Sequence, residues 1–167
     1  MVSPSSACTV IPEIDKIAGQ WQSLTVQGDL QSPQLLPLTS EKAAYQLRLT
    51  LNLDKNSTVT LSNSTDEKYN IDVNAAARTL TAHRTAASGK TSFNGSFSIP
   101  SVQAPLNVEG NTVTLDLFID QSSVELLTND GAMSMTNLVF PQTIYDRLTV
   151  IGSDCEAQYR SLSSIWN

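Results

Sequence analysis

Residues that could carry chemistry are few in this sequence, and their spacing matches no common catalytic arrangement. The one histidine, His83, has no cysteine or acidic residue at metal-ligand spacing, so it does not form a zinc site by itself. No GxSxG elbow, cysteine-protease signature, GxGxxG or P-loop occurs. A carboxylate pair for glycoside chemistry could still come from four acidic residues, Asp116, Asp120, Glu125 and Asp130. Carboxylates at strand ends are usually solvated, so we predict no catalytic residue, no metal site and no cofactor.

Covalent modification is predicted at two kinds of residue. Cys8 and Cys155 lie near opposite ends of the chain, and because domain termini are often close in space, a disulfide between them is sterically allowed. Two unpaired, partly buried thiols are the alternative. Sequons at Asn56, Asn63 and Asn94 fall in predicted turns, which favours surface N-glycosylation of a secreted eukaryotic protein, although chance also produces sequons in so Ser- and Thr-rich a chain.

The composition is polar but weakly charged. Charged residues make up 16% of the 167 residues, below the roughly 25% of an ordinary domain, and the formal net charge is −6. Lys and Arg are scattered, so there is no basic patch for nucleic acid or for an anionic membrane surface. No apolar run approaches the roughly 20 residues that span a bilayer. We predict neither nucleic acid nor membrane as a partner, and an extracellular or carbohydrate-handling role suits this surface.

Short runs in which apolar and polar residues alternate, or which are rich in β-branched residues, make up most of the sequence. Turns that contain Gly, Asn and Asp separate them. The runs predict an all-β fold, a two-sheet antiparallel β-sandwich that is jelly-roll-like and has about ten strands. The predicted strands are Gln22–Val26, Tyr45–Leu53, Thr58–Leu61, Tyr69–Val73, Thr79–His83, Ser96–Ile99, Thr112–Ile119, Ser123–Leu127, Met133–Val139 and Arg147–Ile151.

The rest of the chain predicts little regular structure. Ile11–Gln20 and Ala75–Ala77 are the only briefly helical stretches, and Gln31–Ser40, with its prolines, reads as a long loop. A chain of this length fits one domain, residues 1–167, in which residues 1–20 form an N-terminal segment. Residues 1–10 lack the features of a signal peptide, so an export signal is absent, already removed or upstream.

One stretch carries a specific resemblance. Residues 118–131 read FIDQSSVELLTNDG, followed by MTN at 135–137 and FP at 140–141. Strand alternation predicts that Ile119, Val124 and Leu126 face the core, and that Asp120, Ser123 and Glu125 hold polar positions. This hairpin resembles the one in the C-terminal β-sandwich of glycoside hydrolase family 32, the levanases, inulinases and invertases. The segments EKYNI at 67–71 and HRTAASGKTSF at 83–93, and the ending SIWN, are similar to that domain as well. Family 66 carbohydrate-binding modules are also similar.

The resemblance implies a noncatalytic module of a fructan-degrading β-fructosidase. In that family the catalytic domain is a five-bladed propeller, whose acidic motifs are absent from this sequence. The implied partners are the catalytic β-propeller domain of the same parent protein, linked through residues 1–20, and levan or inulin. The implied location is extracellular, on the cell surface or in the periplasm. The alternative is a free-standing carbohydrate-binding or structural interaction module without a propeller partner.

The resemblance also suggests sugar-binding residues. Arg84 and Glu125 match polar positions of the family hairpin face, and guanidinium and carboxylate groups can bind adjacent sugar hydroxyls. The related candidates are His83, where the family usually has Asp, Asn74, where it has the Asp of Gly-Tyr-Asp, and Asp120. A salt bridge or hairpin hydrogen bonds are the alternative role for Arg84 and Glu125. Trp21 or Tyr69 could add a stacking surface, and core or interdomain packing is the alternative for Trp21.

Overall fold

The computed structural model describes residues 12–26, 33–38, 44–84 and 101–163. These residues form one short helix, one 3-10 turn at Asn129–Gly131, and twelve strands. In chain order the elements are α1 Ile14–Ile17, β1 Gln22–Val26, β2 Gln34–Leu35, β3 Ala44–Asn52, β4 Ser57–Ser62, β5 Lys68–Asn74, β6 Thr79–Arg84, β7 Ser101–Pro105, β8 Thr112–Ile119, β9 Ser123–Thr128, β10 Met133–Leu138, β11 Arg147–Ile151 and β12 Cys155–Leu162.

The strands form two six-stranded sheets in which all neighbours run antiparallel. Sheet A has the order β1-β12-β3-β8-β9-β10, and sheet B has the order β2-β11-β4-β5-β6-β7. The predicted all-β sandwich is therefore confirmed. β3 pairs with β12 more than a hundred residues later, as in Tyr45↔Ser161, so the centre of sheet A depends on contacts distant in sequence.

The core lies between the sheets and follows from strand alternation. Successive side chains of a strand point to opposite faces, so every second residue of β3 points inward, and Tyr45, Leu47, Leu49 and Leu51 are each 0% exposed. The inward residues of β4, β5, β8 and β9 are equally apolar and pack in the same cluster. Burial of this apolar surface is the main stabilising contribution to the fold.

Every predicted strand that falls on described residues corresponds to a strand, whereas Ser96–Ile99 lies outside them. The prediction missed β2, β7 and β12. β2 lies within Gln31–Ser40, which was wrongly predicted to be loop throughout, because its two residues pair only at the edge of β11. β12 was missed because its inward positions carry residues such as Cys155, Ala157 and Tyr159 instead of large aliphatic ones, so its alternation is weak.

Of the two stretches predicted to be briefly helical, one is helical over part of its length and the other is not helical. The helix α1 covers only Ile14–Ile17 of the predicted Ile11–Gln20. Ala75–Ala77 is not helical, because it belongs to the tight turn between β5 and β6, where Arg78 takes a left-handed φ of 52°. That turn returns the chain directly to the neighbouring strand and leaves no length for a helix.

Candidate functional site

Asp120 shapes the hairpin between β8 and β9. Its Oδ1 accepts hydrogen bonds from the backbone nitrogens of Ser122 and Ser123, both at 2.7 Å, and from Ser122 Oγ at 3.1 Å. Short Asp side chains commonly close turns in this way. The carboxylate is thus already committed to local backbone geometry, although the residue itself is exposed.

Glu125 lies on the outward face of β9, opposite Phe118 and Thr136. Its neighbours Val124 and Leu126 are fully buried, which confirms the predicted inward and outward alternation of this strand. Glu125 and Asp120 line one shallow hollow of about 130 Å³ together with Ala44, Phe118, Ile119, Ser123 and Leu162. The structure therefore brings these two candidate residues together.

Arg84 belongs to sheet B and contacts sheet A near the Asp120 hairpin. It is the last residue of β6, and its Nη1 donates a 2.5 Å hydrogen bond to the carbonyl of Leu138 in β10. Leu138 pairs with Ser123, so the guanidinium ties sheet B to the strand next to the Asp120 hairpin. Arg84 thus has an inter-sheet structural contact at the position where sugar binding was predicted.

Tyr69, predicted as a stacking surface, lies in the core instead. Its ring is 0% exposed, and burial raises the pKa of the phenol. Its hydroxyl accepts a 2.9 Å hydrogen bond from Nδ2 of Asn137, which crosses from sheet A to sheet B. The sequence prediction failed because Tyr69 occupies an inward position of β5, in line with Ile71 and Val73.

His83 and Asn74 are separated from the other candidates. His83 points outward from sheet B, where its Nε2 lies 2.8 Å from Asp72 Oδ2, and Thr58 Oγ1 donates to the other Asp72 oxygen at 2.6 Å. Asn74 closes the β5–β6 turn by accepting a 2.9 Å hydrogen bond from the nitrogen of Ala77. That turn lies at the opposite end of β6 from Arg84, so the five candidates do not form one site.

The predicted modification sites differ in accessibility. Asn56 is exposed, but Asn63 is only 2% exposed, and its Nδ2 donates to Glu67 Oε2 at 2.7 Å and to the carbonyl of Thr143 at 2.8 Å. The prediction of a glycan on Asn63 is wrong for the folded chain, since the amide is enclosed and both of its hydrogens are used. Asn94 lies outside the described residues.

The predicted disulfide involves one residue within the described part of the chain. Cys8 lies outside it, so its pairing with Cys155 stays a prediction. Cys155 is half-buried at the first position of β12, and burial raises the pKa of its thiol to about 12. A thiol with that pKa is almost entirely protonated at neutral pH and is a weak nucleophile.

Sequence reasoning missed a buried polar network on the outward face of sheet A. Asp116 Oδ1 accepts hydrogen bonds from Arg48 Nε at 2.8 Å and from Gln46 Nε2 at 3.1 Å. Gln46 Oε1 in turn accepts a 2.7 Å hydrogen bond from Arg160 Nε, and Arg160 Nη1 lies 2.9 Å from Asp15. The alternation of polar and apolar residues in β3, β8 and β12 indicates that these side chains point outward. No local feature of the sequence shows that they are buried.

Trp21 completes this network. Its ring contacts two guanidinium groups, with Arg48 Cζ at 4.8 Å and Arg160 Cζ at 4.4 Å from the ring centroid. Both separations are within the range of attractive cation–π contacts. Trp21 is half-buried, and its ring packs against arginines of its own domain.

Residues 12–26, 33–38, 44–84 and 101–163 contain neither a candidate metal centre nor a candidate membrane-spanning helix. No group of three or more metal-ligating side chains occurs among them. None of the helices described has the length and apolar character to cross a membrane.

The described fold and the hairpin sequence agree with a match to one protein family. Residues 13–166 match the family described as "Glycosyl hydrolases family 32 C terminal", and the chain belongs to that family. The prediction made from the hairpin sequence is confirmed.

Curated relatives and solved structures agree with this assignment. The chain is similar to a levanase of Bacillus sp. strain L7, with 40% identity over 73 residues that cover 38% of this chain and 8% of the levanase. It is also similar to a levanbiose-producing levanase of Bacillus subtilis strain 168, with 26% identity over 137 residues that cover 81% of this chain and 26% of the levanase. The chain therefore spans a minor part of these curated relatives.

The fold recurs in solved structures of low sequence identity. An exo-inulinase from Aspergillus awamori superposes with a TM-score of 0.76 at 18% identity, covering 99% of this chain and 34% of the inulinase. A sucrose-6-phosphate hydrolase from Lactobacillus gasseri gives a TM-score of 0.68 at 22% identity, covering 93% of this chain and 30% of the hydrolase.

Proposed function

We propose that this chain is the noncatalytic C-terminal β-sandwich of a fructan-degrading β-fructosidase, and that it packs on and stabilises a catalytic β-propeller of the same parent protein. The observation that supports this proposal most directly is the family match over residues 13–166. The match to the levanbiose-producing levanase, which involves 81% of this chain but 26% of that enzyme, supports the same proposal. An extracellular, cell-surface or periplasmic location follows from this role, because polymeric fructan is degraded outside the cytoplasm.

Fructan binding is the second part of the proposed function. The hollow that holds Asp120 and Glu125 is open, and Glu125 is exposed on the outward face of sheet A. Asp120 Oδ1 is committed to the hairpin, so Glu125 is the stronger hydrogen-bonding candidate of the two. Arg84 is proposed as a neighbouring contact at the same end, with its Leu138 hydrogen bond holding it in place.

The absence of catalysis is tested with the chain alone. The chain is incubated with levan, inulin and sucrose, and the release of reducing sugar is measured beside an authentic levanase as the positive control. We expect no hydrolysis by the chain. Turnover that survives purification and is lost on substitution of a carboxylate of this chain would contradict the proposal.

The stabilising role is tested with the parent protein. Its gene is expressed with and without the region that encodes this chain, and the melting temperature and levanase activity of the two products are compared. We expect the shortened protein to melt several degrees lower, because the apolar surface that the sandwich covers becomes exposed. Equal melting temperatures, or a gene without a propeller region, would favour the alternative of a free-standing carbohydrate-binding or interaction module.

A further inference from the structure

We propose that a groove across β1, β12 and β3, on the outward face of sheet A, binds a neutral oligosaccharide chain. The groove consists of two adjoining clefts of about 360 Å³ and 530 Å³, which share Thr50, Cys155 and Glu156 in their walls. Ligand pockets typically have volumes of roughly 300–1,000 Å³, so each cleft is large enough for sugar units. None of the five candidates predicted from the sequence lines either cleft.

Strand register explains why the groove is polar. Ser23 pairs with Gln158 and Gln158 with Arg48, while the next outward row contains Thr25, Glu156 and Thr50. Six polar side chains from three adjacent strands therefore point outward from one face: Ser23, Thr25, Arg48, Thr50, Glu156 and Gln158. Neighbouring strands of a sheet lie about 4.8 Å apart, so each of the two rows offers a hydrogen-bonding side chain at about that interval.

Most of these groups have no partner within the part of the chain that the structure describes. Glu156 is exposed, and neither its carboxylate nor the amide of Gln158 makes a hydrogen bond there. Arg48 is bound through Nε to Asp116 and stacks on Trp21, and it makes no hydrogen bond through its Nη atoms to a described residue. A guanidinium that is fixed on one side and open on the other loses little conformational freedom on binding.

The charges of the groove indicate the class of ligand. The charged residues that line the two clefts are Arg48, Glu156 and Asp154. Asp116 neutralises Arg48, so the groove disfavours an anion and leaves its carboxylates as acceptors for hydroxyl groups. Guanidinium and carboxylate groups form paired hydrogen bonds with adjacent hydroxyls, which a polyhydroxylated ligand supplies. No aromatic side chain is among the described residues that line either cleft, so recognition relies on hydrogen bonds rather than on aromatic stacking.

Fructan is the ligand that we infer, and this step rests on the proposed function. A β-fructofuranosyl chain is rich in hydroxyls and has no broad apolar ring face, which suits a groove that offers donors and acceptors without a free aromatic ring. The groove is distinct from the Asp120 and Glu125 hollow, since the two share no lining residue.

The test uses the chain and its double variant Glu156→Ala/Gln158→Ala. The substituted side chains make no hydrogen bond within the described residues, so we expect an unchanged melting temperature. Calorimetry and affinity electrophoresis with levan and inulin should show an association constant that falls about tenfold or more, as expected for the loss of two or more hydrogen bonds. Starch and xylan serve as ligand controls.

The matched control is Glu109→Ala/Gln103→Ala, which removes the same side-chain types from exposed positions outside the groove. We expect it to bind levan and inulin like the unaltered chain. If the groove variant keeps full affinity while Glu125→Ala loses it, the groove is wrong and fructan binding by the module stands. If the unaltered chain binds neither fructan, the groove and the fructan-binding part of the proposed function are both wrong, whereas the stabilising role is tested separately by the melting of the parent protein.

Discussion

The outward faces of the two sheets carry similar polar residues in different environments. On sheet B, His83 Nε2 lies 2.8 Å from Asp72 Oδ2, and the side chains of Asp72 and His83 are 48% and 35% exposed. On sheet A, Asp116 is 1% exposed and Gln46 is 0% exposed, although both also point away from the core. The same alternation of polar and apolar residues has therefore produced a solvated face and a partly enclosed one.

The N-terminal segment accounts for much of this difference. It runs along β12, with hydrogen bonds of 2.8 Å from the Gly19 nitrogen to Ser161 and from the Ser163 nitrogen to Ile17. This path places Asp15 and Trp21 against Arg160. Guanidinium groups of sheet A are thereby partly covered and bonded to carboxylates, and we expect the loss of one partner there to cost more than the loss of one partner of the exposed pair on sheet B.

The largest expected effect is from Asp116→Ala. Removing this carboxylate leaves Arg48 and Gln46 without their shared acceptor in a nearly closed environment. Loss of one partner of a buried pair costs about 3–5 kcal/mol, and because the Arg48 side chain is 37% exposed we expect about 2–3 kcal/mol in the free energy of unfolding. Urea denaturation followed by fluorescence measures it.

The matched change on sheet B is Asp72→Ala. The pair with His83 is exposed on both sides, so we expect a loss of about 0–1 kcal/mol in the same denaturation experiment. Equal losses for the two variants would show that enclosure of the sheet A face contributes nothing, and the comparison between the faces would then fail.

An effect smaller than that of Asp116→Ala but larger than that of Asp72→Ala is expected from Trp21→Ala, which removes an aromatic contact from the sheet A network. The ring lies against two guanidinium groups and is half-buried, so both cation–π contacts and some apolar burial are lost. We expect a decrease of about 1–2 kcal/mol in unfolding free energy. Trp21→Phe keeps an aromatic ring beside the two arginines and is expected to recover part of the lost stability. A variant as stable as the unaltered chain would mean that the segment covers the network without stabilising it.

Much of the fold could be predicted from the sequence because alternation is a local signal. The hairpin residues Val124 and Leu126 were predicted inward and Glu125 outward, and all three are so placed. β12 could not be predicted in the same way, since its partner β3 lies about a hundred residues away and its outward Arg160 is buried by Asp15 and Trp21. A short sequence window does not reveal pairing between strands that lie this far apart in the chain.

The candidate site was less predictable for a related reason. His83 and Arg84 are adjacent in sequence, and alternation sends one outward and the other toward sheet A. The family resemblance identified these positions but not the strand faces on which they lie. Tyr69 failed as a sugar platform because its inward position depends on the register of β5, which residue types alone do not reveal.

Tyrosines of the inward faces give a further comparison, because the two sheets differ there as well. Tyr69 of sheet B receives a hydrogen bond from Asn137, whereas the buried hydroxyl of Tyr159 in sheet A has no partner in the described part of the chain. Tyr69→Phe should therefore lower the unfolding free energy by about 1 kcal/mol, because the Asn137 amide loses its acceptor. Tyr159→Phe should leave stability unchanged or raise it.

The same comparison predicts a dependence on alkaline pH. Burial raises the pKa of both phenols above the usual value near 10, so the folded chain keeps them protonated when the unfolded chain releases their protons. Their contribution to stability is complete below pH about 10 and declines as the pH rises above it. In Tyr159→Phe this decline should be shallower, since one such group is gone, and urea denaturation at several pH values would measure the slope. An identical slope in the variant and the unaltered chain would show that Tyr159 ionises equally well in the folded and unfolded states, and its inward position would then have to be permeable to water.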